Sequence, residues 1–333
     1  MTSSPSPVGV RIAGTGIAIP PRVLTNQDLE GMVDTNDQWI TQRTGIQTRH
    51  IVEGDVTTRD LAVQAMQGAL VDAHMEPGAL DMVLVATLTP EMCCPSTAAR
   101  VVDAIGAIPA GALDISAACS GFVYGMNVAS SLIQSGMYAS IGVVGAETLS
   151  RITNWEDRGT CILFADGAGA AIFTACDDPK RGCLFQKMNS DGSRWPDLYC
   201  PRQASDLPPD PQGFSGKFNT LQMNGREVYK FAVTNLLGCI RDTLGACGLE
   251  AGDLAMIVAH QSNKRILESA RDRLGLLEEK LYINIDRYGN TSAASVPICL
   301  HELRSAGRIR DGDLVLFTAL GGGMTWTSSL WRL

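Results

Sequence analysis

Apolar positions along the chain follow two periods that alternate from segment to segment. From Thr57 they recur every three or four residues for about four turns, and Asp60 stands where a helix-capping box requires an acid, so this spacing predicts a helix. A second helical stripe runs from Gly225 to Cys247. The apolar runs at 82–86 and 141–145 are instead of strand length. Such alternation predicts an α/β protein with layered, buried sheets.

The two predicted helices lead into similar segments. Residues 76–85 read EPGALDMVLV and residues 250–259 read EAGDLAMIVA, with four of ten positions identical and no gap. A second strand candidate follows each segment, and then a third: 111–116 and 141–145 after the first, 281–286 and 314–319 after the second. We interpret this as an internal duplication. Two unrelated α/β stretches that share a common pattern are the alternative.

Between the repeats the chain loses its periodicity. Residues 192–219 contain five prolines, and long irregular segments inside a compact domain usually form a lid or a binding loop. A flexible linker is the alternative. We therefore predict an N-terminal half over 8–180, an irregular active-site connection over 181–220 and a C-terminal half over 221–333.

Composition and charge narrow the class of protein. A length of 333 residues with 45% hydrophobic and 19% charged residues is typical of a globular protein with two domains or one duplicated domain. The apolar runs are far shorter than the ~20 residues of a membrane span, and no export signal is recognisable, so we expect a cytoplasmic protein without a membrane partner. A net charge of -8 argues against nucleic-acid binding and requires any acidic partner to use a local basic patch. The ten cysteines form no CxxC pairs, so we predict neither a metal site nor disulfides.

Cys119 is the cysteine with the most distinctive context. It lies in DISAACSGF (114–122), where a predicted strand ends in small residues and an apolar helical pattern begins. A helix N-terminus favours thiolate over thiol, so we expect a depressed pKa for Cys119. A buried structural thiol is the alternative.

Two further polar residues and a glycine run follow predicted strands. His260 comes directly after the strand that ends at Ala259, at the edge of a sheet where α/β proteins place their sites. Asn290 lies at the second half's counterpart of the Cys119 turn, which makes the two positions pseudo-equivalent, although an Asn there also suits a helix cap. The run 321–323 is Gly-Gly-Gly, whose N–H groups suit an oxyanion hole.

Taken together, these motifs resemble those of the β-ketoacyl-acyl-carrier-protein synthase III family. The matching segments are NDQWITQRTGI (36–46), ACSGF (118–122), HQSN (260–263), YGNTSAAS (288–295) and GGGMTW (321–326). The resemblance spans residues 8–333 and implies a thiolase fold, in which two similar halves stack into five α-β-α-β-α layers, usually as a homodimer. It implies an acyltransferase of fatty acid biosynthesis with no permanently bound cofactor. Its substrates are acyl-CoA and malonyl-acyl-carrier protein, and the acyl carrier protein is its partner.

The resemblance also assigns roles to individual residues. Cys119 takes the acyl group from acyl-CoA, and His260 and Asn290 then support decarboxylative condensation with the malonyl thioester. The remaining assignments are an oxyanion hole from Cys119 and Gly322, coenzyme A contacts at Trp39, Arg43, Arg158 and Asn263, and an acyl pocket at Cys94, Leu149, Phe164 and Leu221. An Asn at 290, where elongating relatives carry His, indicates an initiating enzyme.

Three further sequence features concern the length of the primer, the docking of the carrier and the walls of the site. Cys94 stands where some relatives carry Phe at the end of the acyl pocket, across the dimer interface, so we expect primers longer than acetyl. Lys264 and Arg265 lie in the segment 262–273, which carries a local charge of +2. We expect this segment to dock the acidic carrier. Ser262 and Thr327 replace the family's usual Ala and Gly; either residue has the bulk to narrow a wall of the site, and neither departure removes a catalytic group.

Two other functions remain open. The first is a related initiating synthase of a specialised polyketide or signal pathway, which the sequence does not distinguish from one of fatty acid synthesis. The second is a Cys-dependent acyltransferase or hydrolase that uses the same order of Cys, His and Asn.

Overall fold

Strands and helices alternate along the chain, as the hydrophobic pattern predicts. The computed structural model describes residues 8–211 and 214–333. The strands are β1 (Gly9–Ala18), β2 (Arg22–Thr25), β3 (Thr48–Ile51), β4 (Met82–Ala86), β5 (Gly111–Ile115), β6 (Ser140–Thr148), β7 (Asp166–Cys176), β8 (Gly182–Ser190), β9 (Leu198–Tyr199), β10 (Gln222–Met223), β11 (Met256–Ala259), β12 (Leu314–Gly321) and β13 (Thr325–Arg332). The helices are α1 (Asn26–Glu30), α2 (Asp37–Thr44), α3 (Thr58–Asp72), α4 (Thr97–Ile105), α5 (Gly121–Gln134), α6 (Gly225–Cys247), α7 (Lys264–Leu274), α8 (Ile285–Tyr288) and α9 (Ser295–Ser305).

Two mixed sheets repeat one topology. The first has the order β1-β7-β6-β4-β5, and the second has the order β8-β13-β12-β11. Strands β4 and β11 each pair in parallel with a neighbour, β6 and β12 respectively, and the outer pairs β1–β7 and β8–β13 are antiparallel. The expected duplication is therefore confirmed in the order of the strands.

The halves stack into five layers. Helices α5 and α9 lie between the two sheets, and one core contains Phe122 and Met126 of α5, Leu300 of α9 and strand residues from both sheets, such as Phe173 and Phe317. Helices α3 and α4 cover the outer face of the first sheet, and α6 and α7 cover that of the second. Small and apolar residues predominate in α5 and in α9 up to Leu300, and most of them are buried between the two sheets.

The boundary between the halves falls earlier than expected. The predicted irregular connection over 181–220 includes β8 (Gly182–Ser190), which pairs with β13 as the first strand of the second sheet. The C-terminal half therefore begins near residue 182 rather than 221. After Gly182 the residues of β8 are exposed or only partly buried, so no continuous apolar run marks this edge strand in the sequence.

A second expectation about strands is wrong. The predicted strand at 281–286 is reduced to a single parallel bridge between Leu281 and Ile257, and α8 begins at Ile285. The second sheet thus lacks a full counterpart of β5. In the part of the chain that the structure describes, no helix is long and apolar enough to cross a membrane.

A small substructure between β2 and β3 carries the first half of the site. These strands pair antiparallel, and α1 and α2 lie between them in sequence. The buried guanidinium of Arg49 holds this unit together by donating to Leu24 O, Asn26 Oδ1 and Ile162 O at 3.3, 2.8 and 3.1 Å. The unit therefore presents α2, with Trp39 and Arg43, as a fixed surface.

Candidate active site

Cys119 lies in a tight turn between the first sheet and the central helix α5. Residues Ala118–Ser120 form one turn of 3-10 helix, and Ala118 adopts φ 46°, a left-handed conformation that is strained for a residue with a side chain. Gly321 packs closely against this turn, since a Cβ at position 321 would lie 2.8 Å from Cys119 N. Cys119 is 8% exposed. The small residues of this segment thus permit a close approach of strand β12 to the turn.

The second half repeats this turn with a different residue at the position of the cysteine. Residues Ser292–Ala294 form the 3-10 turn before α9, and Ser292 adopts φ 50°, as Ala118 does at 46°. Ser292 therefore matches Ala118, and Ala293 matches Cys119. The expectation that Asn290 is the pseudo-equivalent of Cys119 is wrong by three residues, because Asn290 precedes the turn.

His260 follows β11 directly and is buried. Its Nδ1 lies 2.8 Å from Ser295 Oγ, and the same oxygen accepts a hydrogen bond from Gln261 N–H at 3.2 Å. The Ser295 hydroxyl hydrogen is then available to Nδ1, which leaves the proton of the imidazole on Nε2. Burial lowers the pKa of His260 to about 3. The imidazole is therefore neutral at physiological pH.

Asn290 is fixed through both its backbone and its side chain. Its N–H donates to Leu163 O, and its carbonyl accepts from Ala165 N–H, each at 2.9 Å. The side-chain Oδ1 accepts from Ser292 N–H at 2.9 Å. Because this bond occupies the carbonyl end of the amide, the NH₂ end is the one available to a substrate.

One cavity of about 600 Å³ brings the three predicted catalytic residues together: Cys119, His260 and Asn290 all line it. Gly321 lines the same cavity, and the neighbouring Gly322 packs against Ala118, where a Cβ would lie 3.6 Å from the Ala118 Cβ. Apolar wall residues include Phe164, Leu198, Met223 and Met324.

The thiol does not have the depressed pKa that its sequence context suggests. Burial raises the pKa of Cys119 to about 12, the Ser292 hydroxyl opposes this by hydrogen bonding, and the charge of Glu147 adds to it. The sequence shows the helix that follows Cys119 but not the depth at which the turn is buried. Glu147 itself was missed by sequence reasoning, although an acid within the otherwise uncharged stretch 140–148 was a usable signal.

The predicted coenzyme contacts gather at the exposed side of the cavity. The guanidinium carbons of Arg43 and Arg158 lie 5.7 and 5.2 Å from the centre of the Trp39 ring. Arg158 also donates to Asp34 O at 2.8 Å. Asn263 caps α7 by accepting from Arg265 N–H, and it donates to Arg43 O at 3.0 Å. Trp39, Arg43 and Asn263 line the cavity.

Three of the four residues predicted for the acyl pocket form one buried cluster, namely Leu149, Phe164 and Leu221. Phe164 also lines the cavity that holds Cys119. Cys94 is exposed in the single chain and lies outside that cavity.

The carrier-docking residues and the two departures from the family motifs lie in different surroundings. Lys264 and Arg265 are on the surface, with Lys264 3.7 Å from Glu268 and Arg265 over the ring of Tyr229. Ser262 lines the cavity, and its buried Oγ has no hydrogen-bond partner within residues 8–211 and 214–333. Thr327 instead is buried in β13, where its Oγ1 donates to Lys187 O at 2.8 Å. Thr327 is therefore not among the residues that line the cavity.

The irregular segment after β8 contributes directly to the site. Leu198 of β9 and Met223 of β10 line the cavity, and these two strands pair with each other. Lys217 forms a 2.6 Å ion pair with Glu156, next to the segment that carries Arg158. These contacts favour the binding-loop interpretation over a flexible linker.

Comparison with known proteins finds the same resemblance throughout. Family models described as 3-oxoacyl-[acyl-carrier-protein (ACP)] synthase III and its C-terminal part match residues 113–192 and 244–333. Over 323 residues, the chain is 47% identical to β-ketoacyl-[acyl-carrier-protein] synthase III of Caldanaerobacter subterraneus subsp. tengcongensis, which covers 97% of each protein.

Two solved structures are similar over nearly the whole chain. The 3-oxoacyl-[acyl-carrier-protein] synthase III of Aquifex aeolicus VF5 has a TM-score of 0.90 and 42% identity, covering 98% of this chain and 100% of that one. The priming β-ketosynthase from the R1128 polyketide biosynthetic pathway has a TM-score of 0.91 and 32% identity, covering 99% and 97%.

Proposed function

The chain belongs to the β-ketoacyl-[acyl-carrier-protein] synthase III family of condensing acyltransferases, and from this premise we propose which residues carry each step of the reaction. Cys119 accepts an acyl group from acyl-CoA. The acylated enzyme then condenses with malonyl-acyl-carrier protein to give 3-oxoacyl-acyl-carrier protein and carbon dioxide. The single observation that carries the assignment is the cavity that Cys119, His260 and Asn290 line together.

The first step is attack of the Cys119 sulfur on the acyl-CoA thioester carbonyl. The backbone N–H groups of Cys119 and Gly322 hold the oxyanion that develops on the carbonyl oxygen. Support for this comes from the close packing of the glycine run against the cysteine turn, where Gly321 approaches Cys119 N and Gly322 approaches Ala118. The carbon–sulfur bond to coenzyme A then breaks, and the acyl group remains on Cys119.

The second step is loss of carbon dioxide from the malonyl thioester. Negative charge develops on the thioester oxygen, where His260 Nε2–H and the Asn290 amide NH₂ donate hydrogen bonds. Neither residue removes a substrate proton, because loss of carbon dioxide itself generates the enolate. The enolate carbon attacks the Cys119 thioester, and Cys119 leaves as the new carbon–carbon bond forms. A neutral His260, held by Ser295, suits the role of a donor.

The coenzyme enters past α2. We assign the adenine to the space between Trp39 and Arg158, with Arg43 and Asn263 on the rest of the cofactor. Two stacked contacts of about 3.5 Å each require roughly 7 Å between the ring and the guanidinium plane. The present separation between Arg158 Cζ and the Trp39 ring centre is 5.2 Å. Arg158 must therefore swing outward on binding, which its half-exposed side chain permits.

A homodimer completes the acyl pocket in this proposal. Strand β5 is the open edge of the first sheet, and Leu113 on it is 46% exposed, which is unusual for an unprotected edge. Pairing of two such edges would cover Leu113, and the resemblance places Cys94 of one subunit at the end of the other's pocket. Leu149, Phe164 and Leu221 form the wall within each chain.

The carrier protein docks on the N-terminal part of α7, through Lys264 and Arg265. Arg265 also lines the cavity, so this surface adjoins the entrance that the carrier's thioester arm would use. We place the enzyme in the cytoplasm as part of the same proposal, since all ten cysteines are free thiols, as is typical of a reducing compartment.

A priming role in polyketide synthesis is the second candidate function. It is favoured by the structural similarity to the priming β-ketosynthase of the R1128 pathway, whose TM-score of 0.91 is close to that of the Aquifex enzyme. Both functions use the same two steps and differ in the primer. A panel of acyl-CoA primers with malonyl-carrier protein distinguishes them, and release of free acid without carbon dioxide would instead indicate a hydrolase.

Intact-mass spectrometry after incubation with acyl-CoA tests the proposed function. We expect one acyl adduct on wild type, located on Cys119 by peptide mapping, and none on Cys119→Ala. The matched control is Cys239→Ala, which removes another buried thiol and should acylate normally. Addition of malonyl-carrier protein should discharge the adduct with release of carbon dioxide. An adduct on any other cysteine contradicts the assignment.

A further inference from the structure

Glu147 is a buried carboxyl group near the end of β6 that has no place in the steps above. Thr89 Oγ1, Thr87 Oγ1 and Leu88 N–H donate to its Oε2 at 2.7, 3.2 and 3.2 Å. Its other oxygen, Oε1, accepts from Ser292 Oγ at 2.9 Å. These donors satisfy a group that proteins rarely bury. Of the four, Ser292 alone belongs to the C-terminal half.

The internal duplication places Glu147 opposite a turn of the site. The aligned repeats and the strand register make Glu147 of β6 the counterpart of Gly321 of β12. Gly321 packs against the Cys119 turn of the first half, and Glu147 contacts Ser292 in the corresponding turn of the second. Each central strand therefore ends on the active-site turn of the opposite half.

The turn Ser292–Ala294 (the Ser292 turn) packs tightly on β6 and orients the side chain of Asn290. A Cβ at Gly145 of β6 would overlap Ala293 O. Ser292 N–H donates to Asn290 Oδ1 at 2.9 Å, which leaves the amide NH₂ for the substrate. The orientation of this amide therefore depends on the direction in which Ser292 N–H points.

The hydroxyl of Ser292 is not needed to form the turn. Ala118, the counterpart of Ser292 in the first half, adopts φ 46° without a side-chain anchor, and Ser292 adopts φ 50°. The bond from Ser292 Oγ to Glu147 instead fixes where the turn lies relative to β6. Its effect is thus on the direction of the Ser292 N–H.

We propose that Glu147, acting through Ser292, is a positioning residue for condensation. Its carboxyl group holds the Ser292 turn, the backbone N–H of Ser292 holds the carbonyl end of the Asn290 amide, and the NH₂ end is thereby aimed at the malonyl thioester oxygen. Glu147 does not touch the substrate. This inference rests on the role of Asn290 in the proposed function.

Removal of the Ser292 hydroxyl tests the link with a small change. We expect Ser292→Ala to slow condensation with malonyl-carrier protein about tenfold to 100-fold, because a misplacement of about 1 Å costs roughly 100-fold in rate. Acyl transfer, measured as coenzyme A release without malonyl-carrier protein, should change by less than about threefold, because this step does not use Asn290. A merely structural defect would slow both steps together.

A double-mutant cycle with Asn290→Ala shows whether Ser292 acts through that residue. In that case Ser292→Ala/Asn290→Ala condenses within about twofold of the Asn290→Ala rate, because no amide is left to position. Independent effects would multiply instead. The double variant would then be slower than Asn290→Ala by the full factor that Ser292→Ala alone produces.

Two replacements of Glu147 separate positioning from charge. Glu147→Ala removes the anchor and should reproduce the kinetics of Ser292→Ala, and its crystal structure should show Ser292 N beyond hydrogen-bond distance of Asn290 Oδ1. In Glu147→Gln the carbonyl oxygen accepts from Thr89 and Leu88, and the NH₂ donates to Ser292 Oγ. The link persists with its direction reversed, so we expect condensation within about threefold of wild type.

Asp81→Ala is the matched control for loss of an acid that holds β6. Asp81 Oδ2 accepts from Ala139 N–H and Ser140 N–H at 2.7 and 2.9 Å, at the opposite end of this strand. The control should lower thermal stability but leave the ratio of condensation to acylation rates unchanged. Thermal melting reports the folding of every variant, and Ser292→Ala and Glu147→Gln carry the test if Glu147→Ala does not fold.

Four results would overturn the positioning role. These are wild-type condensation by Ser292→Ala, equal slowing of both steps, multiplicative effects in the cycle, or a Glu147→Gln variant as slow as Glu147→Ala. Failure of the proposed function is seen separately, as wild-type condensation by Asn290→Ala itself or as a wild type that takes no acyl group from acyl-CoA.

Discussion

Replacement of Gly321 by Ala should slow the acylation of Cys119 by displacing the turn that carries it. The added Cβ would lie 2.8 Å from Cys119 N, 2.9 Å from Ala117 O and 2.9 Å from Thr325 Oγ1. Ordinary contacts between such atoms are about 3.5 Å, so the cysteine turn must move by roughly 0.7 Å. A misplacement of about 1 Å costs roughly 100-fold in rate. We therefore expect kcat/KM for acyl transfer to fall about 30-fold to 100-fold.

Rapid-mixing measurement of coenzyme A release in the absence of malonyl-carrier protein isolates this step. Overpacking also destabilises the fold by about 1–3 kcal/mol, so thermal melting should show a lower but still cooperative transition. Gly167→Ala is the matched control, because its Cβ would meet only side-chain atoms at 3.5 Å or more. That variant should acylate at nearly the wild-type rate. If Gly321→Ala acylates within threefold of wild type, the close packing of β12 against the turn does not position the nucleophile.

Three other predictions concern the second step, the carrier and the primer. His260→Ala and Asn290→Ala should each slow condensation about 10²-fold to 10³-fold while acyl transfer to Cys119 changes far less, and condensation within threefold of wild type would remove the residue from its role. Reversal of Lys264 and Arg265 to Glu should raise KM for malonyl-carrier protein several-fold and leave acyl-CoA kinetics unchanged; unaltered carrier kinetics would exclude this docking surface. Wild type should use butyryl-, isobutyryl- or hexanoyl-CoA at least as well as acetyl-CoA. Each additional buried methylene of the primer should raise kcat/KM about fourfold. Cys94→Phe should restore a preference for acetyl-CoA. A wild type that strongly prefers acetyl-CoA would mean that other side chains close the pocket.

Hydrophobic periodicity and capping motifs correctly predicted the two helices with the clearest apolar stripes. The helix expected from Thr57 is confirmed as α3, with Thr57 as its N-cap and Asp60 completing the capping box, and the helix from Gly225 to Cys247 is confirmed as α6. The strand expected at 281–286 failed because alternation of apolar and polar residues also suits a bridge followed by a helical turn. Only Leu281 pairs, and the chain turns into α8 four residues later.

The sequence predicted which residue types lie at the candidate site, but it did not predict the direction in which their pKa values shift. Cys119, His260 and Asn290 follow strand ends, and the fold gathers them around one cavity, although their roles remain predictions. The pKa of Cys119 is raised, whereas the sequence predicted a lowered pKa. A helix N-terminus is visible in the sequence, but burial of the thiol in the folded protein is not. Glu147 was not identified from the sequence for the same reason, because its contact with Ser292 joins residues that are 145 positions apart.

In the proposed reaction Cys119 carries the acyl group while His260 and Asn290 stabilise the enolate, so the two tasks are separable. Carbon dioxide release from malonyl-carrier protein by Cys119→Ala, measured beside the double variant His260→Ala/Asn290→Ala, tests this most directly. We expect Cys119→Ala to form no acyl adduct yet still to release carbon dioxide, and the double variant to form the adduct but to release almost none. Loss of carbon dioxide release in Cys119→Ala, or its persistence in the double variant, would contradict this expectation.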